Sequence, residues 1–334
     1  MSDHLLMRLV RGGDLDGLHE LAMQTGHGLT TLPAEEGLLR ERIERSLAWE
    51  TRLFVLEDVR SGRLLGTSGI VRQVGVGEPW YAFRREQLTH ESEGLGIRQE
   101  VDVLHRYVER HGPSEIGTLF LSPNARRSGV GRFLSLARFL EMAERPERYQ
   151  TGVIAELRGV VDSVGRSLFW DAVGRHFFAV DYTTADFRSA YDKQFIAELM
   201  PRHPVYLNLL PESARDVVGQ VHEDTLPALR LLEQQGFEVT DLVDIFDAGP
   251  VLRCATAEIA TVRASERFEV LSGEVDAGGE RWMIAATEEN FRAVLAVAEV
   301  GEAGLVVGAD VMGRLGVDSG EAVRAARLYS SVRG

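Results

Sequence analysis

The chain has 334 residues, of which 44% are hydrophobic and 26% charged, a composition typical of a globular protein with a large core. The formal net charge of −14 argues against nucleic acid or an anionic membrane as a partner of the whole protein, and it suits a cationic substrate. The single cysteine, Cys254, excludes an intramolecular disulfide, and neither a signal-peptide pattern nor an apolar run of membrane-spanning length is found. We therefore expect a cytoplasmic protein.

The N-terminal part of the chain alternates strand and helix patterns. The periodicity predicts a strand at 5–10, a helix with Leu15, Leu18 and Leu21 on one face that ends at 26–28, a helix starting at Pro33, and a hairpin of strands at 53–58 and 64–74. The charged stretch from 77 to 113 is irregular, and we expect one helix near 98–110.

The middle of the chain predicts a strand, a loop and a helix in succession. The strand is expected at 116–121 and the helix at 129–144, followed by a strand at 153–157, a helix from Thr225 to Gly236 and a strand at 237–246. Residues 160–221 are interpreted as an insertion, in which we expect Trp170, His176, Phe177 and Phe178 to pack in a core.

The sequence pattern changes after Gly249 and Pro250. Short strand-like runs at 267–271, 281–285 and 293–300 alternate with turns, and this pattern predicts a small β-rich, barrel-like subdomain. We therefore expect two units, residues 1–248 and residues 249–334.

The most informative motif is Arg126-x-x-Gly129-x-Gly131, which lies between the strand that ends in Leu119, Phe120 and Leu121 and the helix after it. Glycines entering a helix leave backbone N–H groups uncovered, and the helix dipole and arginines favour an anion there. The pattern predicts a pyrophosphate-binding turn, and the alternative is an ordinary glycine-rich turn. A P-loop and a dinucleotide fold are disfavoured because neither glycine pattern is present.

The motif resembles the acyl-CoA site of the GCN5-related N-acyltransferases, and longer blocks resemble one family among them, the arginine N-succinyltransferases. The matching blocks are 28–34, 42–46, 79–81, 118–121, 155–162, 169–178, 195–201, 219–222 and 244–250. The resemblance implies an α+β fold, in which a mixed sheet is flanked by helices and carries the insertion and the C-terminal subdomain.

The resemblance also implies an activity, the transfer of a succinyl group from succinyl-CoA to the α-amino group of L-arginine. It assigns His222 as the catalytic proton donor and Leu119 as a contact of succinyl-CoA. With the motif, the candidate residues for binding CoA are Leu119, Phe120, Leu121, Arg126, Arg127, Ser128, Gly129, Val130 and Gly131. Succinyl-CoA is then a cosubstrate, and no permanently bound cofactor is expected.

Two departures from the family pattern leave alternatives open. The stretch at 86–114 differs from the family's block, and the C-terminal subdomain is only loosely similar. Another acceptor such as ornithine, another acyl group, or a non-catalytic partner subunit are therefore alternatives. The family implies a homo-oligomer or a hetero-oligomer with a related subunit.

The residues favour direct attack by the amine over an acyl-enzyme. No nucleophile and base are paired, so we expect Cys254 to be unreactive and a backbone N–H of the 119–121 strand to stabilise the oxyanion. His222 titrates in the useful range for proton transfer, although it could also cap the helix after it. No histidines have metal-ligand spacing, so we expect no catalytic metal.

The guanidinium and carboxylate of arginine require charged partners in the protein. Glu156, Arg158, Lys193 and Glu198 lie in the matching blocks and are candidates, although each could equally form a structural ion pair.

Overall fold

The computed structural model describes residues 4–25 and 32–329. Within them the strands form one extended mixed sheet in the order β14-β15-β11-β16-β12-β13-β1-β2-β3-β6-β7-β10-β9-β4-β5-β8. The strands are β1 Leu5–Leu9, β2 Thr51–Asp58, β3 Arg63–Val71, β4 Trp80–Ser92, β5 Ile97–Glu109, β6 Ser114–Leu121, β7 Gly152–Glu156, β8 Val205–Tyr206, β9 Glu238–Val243, β10 Pro250–Ala255, β11 Glu266–Ser272, β12 Arg281–Ala286, β13 Arg292–Val297, β14 Glu299–Val300, β15 Leu305–Val307 and β16 Ala322–Arg327.

The helices cover both faces of this sheet. They are α1 Leu15–Ala22, α2 Glu36–Leu47, α3 Val130–Leu136, α4 Arg138–Glu144, α5 Leu168–Ala172, α6 Gly174–Phe178, α7 Tyr182–Ser189, α8 Gln194–Leu199, α9 Glu212–Arg215, α10 Leu226–Glu233, α11 Ala260–Ala264 and α12 Ala309–Leu315. Apart from the helix expected near 98–110, the strands and helices predicted before and after the insertion are confirmed, and the helix predicted at 129–144 is present as α3 and α4 with one turn residue between them. The predicted end of the first helix lies at residues outside the described part.

The two faces of the central sheet carry different cores because side chains alternate along a strand. On one face, Phe133, Phe139 and other side chains of α3 and α4 pack against Val153 and Ala155 of β7. On the other face, α1 and α2 pack against Leu53 and Val55 of β2.

The stretch at 77–113 forms a long hairpin of β4 and β5, so the helix predicted near 98–110 is wrong. Every residue of β4 from Trp80 to Ser92 pairs with one of β5 in an uninterrupted antiparallel register. Val101, Leu104 and Val108 have helical spacing, but the long pairing with β4 outweighs that local pattern. Residues 86–100 of this hairpin are largely exposed.

The insertion builds its own aromatic core. Trp170 and Phe169 are fully buried, Phe178 packs on the Trp170 ring at 5.1 Å, and the Trp170 indole N–H donates to the Val180 carbonyl at 3.0 Å. Phe177 and His176 are exposed, so their predicted burial is wrong. Both belong to the short helix α6, which turns only some of its residues toward the core.

The C-terminal strands join the main sheet through β1. Met7 of β1 pairs with Ala293 of β13, and this pair joins the two regions. The C-terminal strands follow the order β14-β15-β11-β16-β12-β13, and β14 begins two residues after β13 ends. The predicted β-rich character is confirmed, and the barrel-like closure stays a prediction.

Candidate active site

The parallel strands β6 and β7 separate soon after they begin to pair. Only Ser114 with Val153 and Glu115 with Ile154 are in register, whereas β6 continues to Leu121. A bulge then distorts β6, because two residues, 118 and 119, lie opposite the single Ser68 of β3. Thr118 has a φ of 52°, and its carbonyl accepts a hydrogen bond from the Thr67 hydroxyl at 2.8 Å. Strand β6 therefore has an open edge toward β7.

The glycine-rich turn follows the carboxyl end of β6. Gly129 precedes α3 with a φ of 83°, a conformation that favours glycine. A Cβ added to Gly131 would meet the Leu121 side chain at 3.7 Å and nothing closer. Arg126 and Arg127 are exposed, and the Arg126 Nε donates to the Leu121 carbonyl at 3.3 Å. The turn therefore presents positive charge and backbone donors at one edge of the sheet.

The remaining candidate residues around the turn have different surroundings. Leu119 and Leu121 pack against the core beneath α3 and α4, whereas Phe120 packs against the core beneath α1 and α2. Val130 is buried and Ser128 is exposed. The Phe120 side chain thus lies on the sheet face opposite α3, and only its backbone borders the open edge.

His222 lies beside the carboxyl end of β7. Its backbone N–H donates to the Arg158 carbonyl at 2.9 Å, and the preceding Val221 bridges to Gly159. Strands β6 and β7 are parallel, so their carboxyl ends point in the same direction and the glycine turn and His222 lie at the same edge of the sheet. The structure therefore brings these two sequence-predicted elements to one side of the molecule.

The imidazole of His222 also caps a short 3-10 helix, Glu223–Thr225. Its Nδ1 accepts a hydrogen bond from the Asp224 backbone N–H at 3.2 Å, and the Asp224 carboxylate lies 3.7 Å from the same nitrogen. A nitrogen that accepts a hydrogen bond carries no proton, so the neutral ring has its proton on Nε2. The histidine side chain is 14% exposed, which leaves it accessible from one side.

A cluster of charged side chains, called the recess below, lies on the sheet face opposite α3 and α4. Glu115 and Glu156 point to this face, because their neighbours Ile116, Ala155 and Leu157 point to the other. The two carboxyl groups are within hydrogen-bonding reach of each other. Burial, and then the charge of Glu115, raise the pKa of Glu156 well above its ordinary value.

Basic and aromatic groups complete the recess. Arg42 of α2 and Lys193, which precedes α8, both act on Glu115 and favour its charged form, although burial still raises its pKa. The Trp80 side chain is 5% exposed, and its indole N–H faces Glu156 without a partner at hydrogen-bonding distance. Of these groups the sequence predicted Glu156 and Lys193 and missed Glu115, Arg42 and Trp80, which no local pattern connects.

Further carboxylates border the recess on the insertion side. Asp247 accepts hydrogen bonds from the backbone N–H groups of Gly159 and Gly249, both at 2.8 Å, and so fixes the chain that leaves β7. Burial, with the nearby Asp244, raises the pKa of Asp186 to about 7. Glu198 is exposed and accepts a hydrogen bond from Gln194, so the structure does not bring it to the recess.

The described residues contain no group of three or more metal-binding side chains arranged around a common point. Cys254 is buried in β10, where burial raises the pKa of its thiol. Among the same residues, no helix is long and apolar enough to cross a bilayer.

Comparison with known proteins first defines the class, an N-acyltransferase that transfers succinyl groups. Residues 5–261 match the family model described as "Arginine N-succinyltransferase beta subunit", and residues 266–327 match the model of its C-terminal domain. The chain therefore belongs to the arginine N-succinyltransferase family, as its sequence blocks predicted. Residues 28–31 of the first block lie outside the described part of the structure.

Individual relatives agree with this assignment over the whole chain. An arginine N-succinyltransferase of Escherichia coli strain 55989 is 39% identical, over 97% of this chain and 98% of that protein. One from Shigella flexneri has the same identity and coverage. The solved structure of the arginine/ornithine succinyltransferase subunit AI of Pseudomonas aeruginosa superposes with a TM-score of 0.90 at 32% identity, covering 98% of this chain and 99% of that one.

Proposed function

We propose that this protein transfers the succinyl group of succinyl-CoA to the α-amino group of L-arginine. The observation that carries the proposal is the separation of β6 from β7, with the glycine turn beyond one strand and His222 beside the end of the other. This arrangement leaves a gap in the sheet between the glycine turn and a titratable side chain. Family membership supplies the substrates.

The acyl donor is proposed to bind through its diphosphate at Arg126, Arg127 and the N–H groups of residues 128, 129 and 131, since the Val130 N–H donates to the Arg127 carbonyl at 3.1 Å. The pantetheine then lies along the open edge of β6, where a backbone N–H freed by the bulge at Thr118 faces the thioester oxygen. Such a donor stabilises the negative charge that develops on that oxygen.

The amine nitrogen attacks the thioester carbon directly, and the carbon–sulfur bond breaks in the collapse of the tetrahedral intermediate. Protonated His222 gives its Nε2 proton to the departing thiolate, and the imidazole then regains a proton from the attacking nitrogen. In the charged ring Nδ1 carries a proton, so it no longer accepts the Asp224 backbone N–H and can instead donate toward the Asp224 carboxylate, 3.7 Å away. Each proton in this cycle is accounted for without an acyl-enzyme intermediate and without the Cys254 thiol.

The acceptor is proposed to bind in the charged recess, where the Glu115 and Glu156 carboxylates would receive the guanidinium. Two adjacent acids with raised pKa values have an unfavourable charged state that a cationic ligand relieves. Within the divergent stretch at 86–114, residues 86–100 are largely exposed and are not among the groups of the recess, so this part of the stretch does not favour another acceptor.

An acceptor screen that follows release of free CoA thiol tests the proposal. L-Arginine, L-ornithine, L-lysine and putrescine are each offered with succinyl-CoA and with acetyl-CoA. Arginine with succinyl-CoA is expected to give the largest kcat/KM. A preference for ornithine would assign the other acceptor named in the Pseudomonas relative, and no turnover with any pair would support a non-catalytic subunit.

We also propose a cytoplasmic location and assembly with a like or related subunit. The description of the Pseudomonas relative as a subunit supports the second point. The mass of the purified protein in solution, measured by light scattering, tests the assembly.

A further inference from the structure

Arg281 connects the C-terminal region to the glycine turn. It is the first residue of β12, and its Nη1 donates a hydrogen bond to the Ser128 carbonyl at 3.1 Å. A Cβ built on Gly129 would lie 2.9 Å from this Nη1 and 2.9 Å from the Leu328 side chain. The C-terminal region is therefore in direct contact with the turn that precedes α3.

This contact is one end of a longer interface along α3 and α4. Beside the turn, the Leu328 N–H donates to the Arg281 carbonyl at 2.9 Å, and the Arg132 guanidinium lies 5.1 Å from the Tyr329 ring centre. At the far end, Glu144 pairs with Arg267 and with Arg324. The fifteen positions from 130 to 144 separate the two ends by about 20 Å of helix.

The hydrogen bond to Ser128 has a consequence for the neighbouring donor. In a trans peptide the carbonyl and the following N–H point in opposite directions. A guanidinium that holds the Ser128 carbonyl on the C-terminal side therefore directs the Gly129 N–H to the other side of the turn. The same guanidinium brings a fixed positive charge to the turn that already carries Arg126 and Arg127.

We propose that Arg281 is a positioning residue for the nucleotide part of the acyl donor, an inference that rests on the proposed function of the turn. It fixes the peptide between Ser128 and Gly129, and its charge adds to the field that attracts the phosphates. The C-terminal region thereby takes part in binding the acyl donor although the motif for that binding lies in the N-terminal region.

A comparison of two acyl donors separates this role from a purely structural one. Succinyl-CoA carries the phosphates, and succinyl-pantetheine carries the same thioester without them. Arg281→Ala is expected to raise KM for succinyl-CoA by about tenfold to hundredfold, since a charge-assisted contact is lost, and to change kcat/KM for succinyl-pantetheine by less than about twofold. Arg281→Lys keeps the charge without the forked donors. Its KM for succinyl-CoA should lie between those of the wild type and Arg281→Ala.

Arg267→Ala is the matched control. It removes an arginine of the same interface that is 59% exposed and lies at the opposite end of α3 and α4. The kinetic constants for both acyl donors should therefore stay unchanged. An equal loss with both donors in Arg281→Ala would overturn the proposal in favour of a structural role, and so would an unchanged KM for succinyl-CoA.

Calorimetric binding of free CoA and of pantetheine keeps this test separate from the proposed function. Arg281→Ala should weaken CoA binding and leave pantetheine binding unchanged even if the protein prefers another acyl group. Wild-type protein that binds CoA without turning over succinyl-CoA would contradict the proposed activity, but not the role of Arg281. Wild-type protein that does not bind CoA would contradict both.

Discussion

The candidate site has a donor side, proposed to bind succinyl-CoA, and an acceptor side, proposed to bind arginine. The two sides offer different kinds of chemical group. The donor side is a contiguous stretch, β6 and the turn after it, which offers backbone donors, glycines and exposed arginines. The acceptor side is a set of charged side chains from separate elements, such as Arg42 and Glu156, gathered on the opposite face of the sheet. A site made of backbone is sensitive to an added Cβ, whereas a site made of side chains is sensitive to an altered charge.

His222 lies where the two sides meet, and its replacement should have the largest effect. His222→Asn removes the titrating ring and is expected to lower kcat by a factor of about 10² to 10⁴, because general acid–base catalysis contributes that much. KM for succinyl-CoA should stay nearly constant, since the turn that binds it is a separate element. Steady-state kinetics at neutral pH measures both quantities.

The capping role of His222 requires its own control. Asparagine is a favourable N-cap residue and alanine is not, so His222→Ala should lose about 1 kcal/mol of stability that His222→Asn retains. Equal and severe loss of kcat in both variants supports the proton relay. If kcat and the melting temperature both fall in His222→Ala and neither falls in His222→Asn, His222 is a capping residue alone.

The acceptor side should respond to loss of a single charge. Glu156→Gln is nearly isosteric and is expected to raise KM for arginine by about tenfold to hundredfold, as expected for a lost charged hydrogen bond, without changing KM for succinyl-CoA. Glu198→Gln is the control, because Glu198 is exposed and its carboxylate accepts a hydrogen bond from Gln194. An unchanged KM for arginine in Glu156→Gln would remove the recess from the acceptor site.

The same carboxylates give the acceptor side a pH dependence of defined sign. Burial raises the pKa of Glu156 above the ordinary 4.5, so the recess stays protonated to a higher pH than a surface acid would. A guanidinium needs the ionised form, and its affinity should therefore rise as the pH increases through that raised pKa. A guanidino carboxylate without the α-amine isolates this effect, and Glu156→Gln should flatten its binding profile.

The donor side should respond to an added Cβ. Gly131→Val fits the turn, since the nearest side chain would be 3.7 Å from its Cβ, but it covers backbone donors and should raise KM for succinyl-CoA by about tenfold. Gly129→Ala should in addition lower the melting temperature, because the φ of 83° is unfavourable and Arg281 lies too close. An unchanged KM for succinyl-CoA in Gly131→Val would contradict the proposal that backbone N–H groups of the turn bind the acyl donor.

This difference between backbone groups of one stretch and side chains of separate elements also decides which parts of the site the sequence could predict. The strand, turn and helix of the donor side were predicted because their signals are contiguous from Leu119 to Gly131, and His222 came from a matching block. The recess was only partly predicted, since Glu115, Arg42 and Trp80 are brought together by strand order and helix packing. The hairpin at 80–109 was missed because its pairing partner, not its own periodicity, decides its structure.

The smallest effect is expected at Cys254, which belongs to neither side. It lies in β10, 5% exposed, and its Sγ lies 3.4 Å from the Ala255 carbonyl. Burial raises the thiol pKa and so disfavours the reactive thiolate. Cys254→Ala should keep kcat and both KM values within about twofold and cost about 1 kcal/mol of stability through the small cavity. Mass spectrometry of wild-type protein quenched during turnover should show no added succinyl group. A succinyl thioester on Cys254 would replace direct attack by a two-step transfer, and the acceptor would then attack the enzyme instead of CoA.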